Sequence, residues 1–159
     1  MLTSAQQDQI QSFRAAVEDS LSGDPRFSGA ARHDRPDGST LATRWQSAAN
    51  SHVWFEIAVR PLIPQVRVGI LTDDRWKSED LETKIEESGD TMSEFVELGF
   101  DEAGLEWKEP IVEHYREDMK YFYFATALAL PKLDELSSRV SQARKMLDGY
   151  HYAFGPFLT

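Results

Sequence analysis

Lys120-Tyr-Phe-Tyr-Phe-Ala-Thr-Ala-Leu-Ala-Leu130 decides the fold. In extended conformation Tyr121, Tyr123, Ala125, Ala127 and Ala129 share one face, and Phe122, Phe124, Thr126, Leu128 and Leu130 share the other. A strand with one wet face alternates apolar and polar residues. A strand covered on both faces need not. The segment therefore reads as a central strand with something packed on each side.

The 159-residue chain has the length of one ordinary domain, read here as 1–159. A chain of this size buries roughly 70% of its unfolded surface, so it can build its own core. Hydrophobic residues make up 41% and charged residues 28%, as in an ordinary globular protein. Cysteine is absent, which excludes disulfides, thiol catalysis and cysteine-based zinc sites. The first residues lack the basic and apolar regions of a signal peptide. No apolar run approaches the roughly 18 residues that span a bilayer. The expected setting is cytoplasmic, with no membrane association.

The net charge is −10. Between Asp73 and Glu102, twelve acids face only Arg75, Lys77 and Lys84, a local balance of −9. Such a surface repels phosphate backbones and argues against nucleic acid as a partner. It reads as a solvated helix face that can also attract a basic partner.

Working outward, Ser4–Leu21 reads as an amphipathic helix, with Ile10, Phe13, Val17 and Leu21 on one stripe. Residues 24–38 read as a mobile connection rich in Pro, Gly and Arg. Thr40–Gln46, Val53–Arg60 and a third segment through Val66, Val68 and Ile70 form an antiparallel meander. Arg75–Leu98 is helical. Gly89 and a capping box from Thr91 to Glu94 leave open whether it is one helix or two, and Gly99 is placed to stop it. Leu105–Trp107 and Ile111–Glu117 read as short strands. Pro131 opens the last helix, whose stripe runs through Leu133, Leu136, Val140, Ala143, Leu147 and Tyr150. The expected class is α+β, in the order α-β-β-β-α-(β)-β-β-α. A largely antiparallel sheet of about five strands carries helices packed on it.

No motif of high chemical specificity is present. Glu106-Trp107-Lys108 has the Glu-x-Lys form of Mg²⁺-dependent nucleases, in which carboxylates hold the metal and Lys orients water. Asp90 or Asp101 would supply the second carboxylate. The tripeptide sits in a polar stretch before Pro110, so it defines only an alternative. No metal or cofactor is expected: His33, His52, His114 and His151 show no ligand spacing, and no phosphate-cradling glycine loop occurs. The meander's less apolar face carries Arg44, Trp54, Glu56 and Arg67, and Trp and Arg are common binding anchors. Phe154 and Phe157, in the aromatic tail, are further binding candidates. A third alternative is a small-molecule pocket near Trp45, Trp54 and Trp107.

Trp54-Phe-Glu-Ile, Val66-Arg-Val-Gly-Ile and Gly104-Leu-Glu-Trp-Lys108, followed by a last helix ending in the aromatic stretch Tyr150–Phe157, resemble an uncharacterised prokaryotic domain family found in or beside restriction–modification proteins. The similarity runs from about Ser51 to the C-terminus. This chain carries more residues between Asp73 and Gly104 than that pattern. The resemblance implies an accessory or interaction domain and transfers no catalytic residue. The helix–strand order and acidity are also similar to those of the small acidic secretion chaperones, which act as homodimers.

These readings lead to a non-enzymatic interaction domain that binds protein and pairs as a homodimer. Three helices cover one sheet face, and the second apolar face of Lys120–Leu130 needs the aromatic tail, the N-terminal helix or another subunit.

Overall fold

The computed structural model describes all residues, Met1–Thr159. Thr3 opens the first helix, α1 (Ser4–Ser20), through a reciprocal capping box with Gln6. The chain then runs through β1 (Phe27–Asp34), β2 (Leu41–Ser47), β3 (Val53–Arg60) and β4 (Gln65–Thr72). Two helices follow, α2 (Arg75–Ser88) and α3 (Met92–Glu102). Strands β5 (Glu113–Glu117) and β6 (Tyr121–Ala129) precede a 3₁₀ segment at Leu133–Arg139, and α4 (Val140–Phe154) closes the order. No helix is long and apolar enough to cross a membrane.

All six strands form one antiparallel sheet in the order β1-β2-β3-β4-β6-β5. The α+β class agrees with the sequence reading, with one strand more than expected. That strand is β1, which falls inside residues 24–38, read above as a connection. Seven of its eight residues are exposed, so no buried row marks it in the sequence. Polar side chains dock it instead. Arg14 of α1, only 2% exposed, forms a two-pronged pair with Asp34, and Arg32 reaches back to Glu18.

Other boundaries also shift. Leu105–Trp107 is irregular, and only Glu113–Glu117 of the Ile111–Glu117 stretch pairs. Gly89, at φ 81°, ends α2 in a left-handed turn, and Thr91 caps α3, so Arg75–Leu98 spans two helices. Gly99 does not stop α3. It lies buried within it, where a Cβ would collide with the Gly149 carbonyl of α4, so the glycine lets the two helices cross closely.

One core lies between the sheet and the helices. Ile10, Phe13 and Val17 meet Phe55, Ile57, Val68 and Phe124 from the sheet and Leu147, Tyr150 and Phe154 from α4. Thr126 turns its hydroxyl to the Tyr150 hydroxyl, 2.7 Å away, which satisfies both in the core. All the helices lie on this side. The opposite sheet face carries a small cluster of Leu71, Tyr123 and Ala125 beside a set of buried charges.

Arg35 follows β1, and Asp118 follows β5, at opposite edges of the sheet. The register also puts them at opposite ends of the strands: Asp34 is level with Leu41, Val59, Val66 and Leu128, whereas Glu117 is level with Tyr121. Six strands at the usual spacing would stand about 24 Å apart edge to edge in a flat sheet. Yet Arg35 reaches Asp118 at 3.2 Å and Glu117 at 3.3 Å. The sheet is therefore strongly coiled, bringing two diagonal corners together over the helix-free face, in keeping with strand twist. That face is concave.

Candidate functional site

The concave face is built from alternate residues of five strands. β2 supplies Arg44, β3 Trp54 and Glu56, β4 Arg67, β6 Tyr121 and Tyr123, and β5 Tyr115 and Glu117. Gly69, Ala58 and Ala125 lie among them and keep the floor low. A Cβ on Gly69 would collide with the Phe124 carbonyl, so this close approach requires glycine.

Glu56, 1% exposed, is the centre. It accepts from Arg44 Nε at 3.0 Å, Arg67 Nη2 at 3.2 Å and the Tyr123 hydroxyl at 2.7 Å. Tyr123 in turn accepts from Arg44 Nη2 at 3.1 Å. Burial, and then the adjoining Glu56 carboxylate, hold the Tyr123 phenol far above its ordinary range, so it remains a donor. Glu117 stands 3.7 Å from Arg67 and also meets Arg35, which meets Asp118. The charges thus alternate across the face: Arg44, Glu56, Arg67, Glu117, Arg35, Asp118. Each buried charge has an opposite neighbour, which offsets its desolvation.

Aromatic rings flank this line. Tyr115 and Tyr123 stack with centroids 5.0 Å apart, and the Arg67 guanidinium lies 5.0 Å from the Tyr123 ring centre. Arg44 sits 4.5 Å from the Tyr121 ring centre, and Trp54 meets Tyr121 edge-on at 6.1 Å. Two clefts open on the face, separated by the Arg67–Glu117 pair. The first, of about 330 Å³, is lined by His33, Arg35, Arg44, Glu56 and Tyr121 among others. The second, of about 290 Å³, lies toward β5.

Of the sequence candidates, Arg44, Trp54 and Arg67 come together here. Phe154 and Phe157 do not. Phe154 is wholly buried on the helix side against Tyr150 and Phe95, and Phe157 packs on Phe95. Trp45, Trp54 and Trp107 do not converge either: Trp45 is in the helix-side core, Trp54 is on the concave face, and Trp107 packs on Phe100. Glu106 and Lys108 are exposed in the irregular segment after α3 rather than on a strand. With Asp90 and Asp101 they form no metal-holding group, since no three His, Asp or Glu side chains converge in that way. His114 ties α2 to the sheet: its ring stacks on Phe124 at 3.9 Å, with Glu82 of α2 at one nitrogen and the Tyr123 carbonyl at the other.

Residue spacing alone did not single out Arg35, Tyr115, Glu117 and Tyr121 as parts of one site. The alternation of β5 and β6 places the last three on this face. Arg35 comes from a loop, and only the coiling of the sheet delivers it.

Comparison with family models, curated proteins and solved structures finds no significant match.

Proposed function

We propose that this chain is a non-enzymatic interaction domain that pairs with a second copy through the concave sheet face. The observation that carries this reading is the composition of a face that no helix covers. It holds half-buried Trp54 and Tyr121, buried Tyr123 and two buried arginines, the residue types that concentrate binding energy at interfaces. A buried ion network seldom stabilises a fold more than apolar residues would, which favours a role in recognition.

Charge also selects this face for pairing. Along its ladder three arginines are balanced by three carboxylates. The acidic α2–α3 stretch lies on the helix side. Two copies can bring their sheet faces together with their excess negative charge pointing apart. An accessory place beside a larger assembly, as the restriction–modification resemblance implies, fits the same surface, as does a cytoplasmic setting for a chain without cysteine.

Hydroxyl-radical footprinting at low and high protein concentration tests the reading. Trp54 and Tyr121 become less reactive as concentration rises, while Trp76, 76% exposed on α2, stays unchanged. Unchanged reactivity of Trp54 and Tyr121, or protection of Trp76 alone, would contradict it.

A further inference from the structure

Three residues other than glycine hold a positive φ, and two of them are adjacent: Asp118 at 57° and Met119 at 55°. They form the tip of the β5–β6 hairpin, closed by the Lys120 N–H on the Glu117 carbonyl at 3.1 Å. A two-residue hairpin loop with both central residues left-handed is a type I′ turn. It takes Asn or Asp readily at its first position and strongly favours Gly at its second. Asp118 fits this pattern, and its carboxylate meets Arg35. Met119 does not fit, because a Cβ crowds the backbone in that conformation. No packing offsets the strain: the Met119 side chain is 79% exposed and joins neither apolar cluster. Its carbonyl accepts from Arg116 Nη2 at 2.7 Å, a bond that glycine would make equally. Apart from Met1, no large apolar side chain is more exposed.

The turn stands beside the proposed interface. Coiling carries this corner of the sheet over the concave face, where Asp118 lines the first cleft. Tyr121 follows two residues after Met119, and Trp54 meets the Tyr121 ring edge-on. Met119 therefore extends the Trp54–Tyr121 surface outward at its rim. A flexible thioether makes favourable contacts with aromatic rings. A two-fold pair uses the same patch on both copies, so the rim of one can meet the aromatic surface of the other. We propose that Met119 is an anchor of the pairing interface, each copy laying its thioether on the Trp54 and Tyr121 rings of the other. This role rests on the pairing proposed above. What identifies the residue is the strained turn, an observation independent of the aromatic face.

Met119→Gly and Met119→Asn in the full chain test the anchor, since both new residues accept a left-handed backbone. At a dilution where the wild type is a single chain, each variant melts above it, Met119→Gly by about 2–4 °C, because the turn strain is relieved. Both variants self-associate at least about tenfold more weakly, read from light scattering across loading concentrations. Stability and pairing thus move in opposite directions, which a merely structural role would not produce. In hydroxyl-radical footprinting of the wild type, oxidation of Met119 falls as concentration rises, and that of Met1 does not. A wild type that stays a single chain would overturn the pairing itself, and the anchor with it. Where the wild type pairs, three results would overturn the anchor alone. These are undiminished pairing of Met119→Gly, Met119 oxidation that stays constant while Trp54 and Tyr121 become protected, or a lower melting temperature for both variants.

Discussion

Glu56 holds the concave face together. Two guanidinium groups and a phenol converge on one carboxylate that is almost wholly out of water. Removing one partner of a buried ion network costs far more than the network contributes, because the remaining charges stay buried without compensation. Glu56→Ala should therefore destabilise the fold by about 3–5 kcal/mol, read from urea denaturation. Tyr123→Phe, which removes one neutral donor, should cost about 1–3 kcal/mol. A Glu56→Ala protein as stable as wild type would show that solvent, not Glu56, carries the two arginines. The grouping of Arg44, Trp54, Glu56 and Arg67 was legible from strand alternation, since residues two apart share a face. Their convergence on one carboxylate was not, because it depends on Gly69 and Ala125 leaving space above the floor.

Among the elements, the strands with buried rows were readable and the edge strand was not. β3 and β4 alternate apolar residues against polar or small ones, and each lies where its pattern predicts. β1 buries almost nothing, and its docking to α1 through Arg14–Asp34 and Arg32–Glu18 leaves no periodic trace. Gly99 shows the same limit for a helix. In sequence it reads as a stop, whereas in the fold it is a packing contact against Gly149. Gly99→Ala should raise intrinsic helix propensity yet destabilise the protein by about 1–3 kcal/mol, because the methyl group overpacks the α3–α4 crossing. A thermal melt shifted upward by this substitution would refute the close crossing.

For the whole molecule, the question raised by Lys120–Leu130 has a physical answer. Its Phe124 face lies under the helices. Its Tyr123 face is sheltered only in part by the coiled sheet: Arg35 and Asp118 join the corners above buried charges, while Trp54 and Tyr121 stay half-buried, the surface on which the proposed pairing rests. Neither the aromatic tail nor α1 wraps that face. No local pattern encodes this, because coiling is a property of all six strands together. The fold also implies a direction of pH dependence. Burial pushes the His151 imidazole below its ordinary value of 6.5, so the unfolded chain takes up protons first as pH falls. Hydrogen bonds from Arg14, Arg32 and Arg26 hold Asp34, Glu18 and Asp24 below their ordinary carboxylate values, with the same sign. Stability present at neutral pH is thus lost in two stages, first below about pH 6.5 and again below about pH 4. Thermal melts across this range should show both, and His151→Gln should shrink the first without abolishing it, because burial also lowers the His33 imidazole.

The central claim is that the concave face is the binding face and that a second copy occupies it. Light scattering on the eluting protein, across a range of loading concentrations, tests this most directly. The account predicts a mass that rises toward twice 18.1 kDa for the wild type and stays at one chain for the Trp54→Ala, Tyr121→Ala double variant. A wild-type protein that remains a single chain at high concentration, or a double variant that pairs as well as wild type, would contradict it.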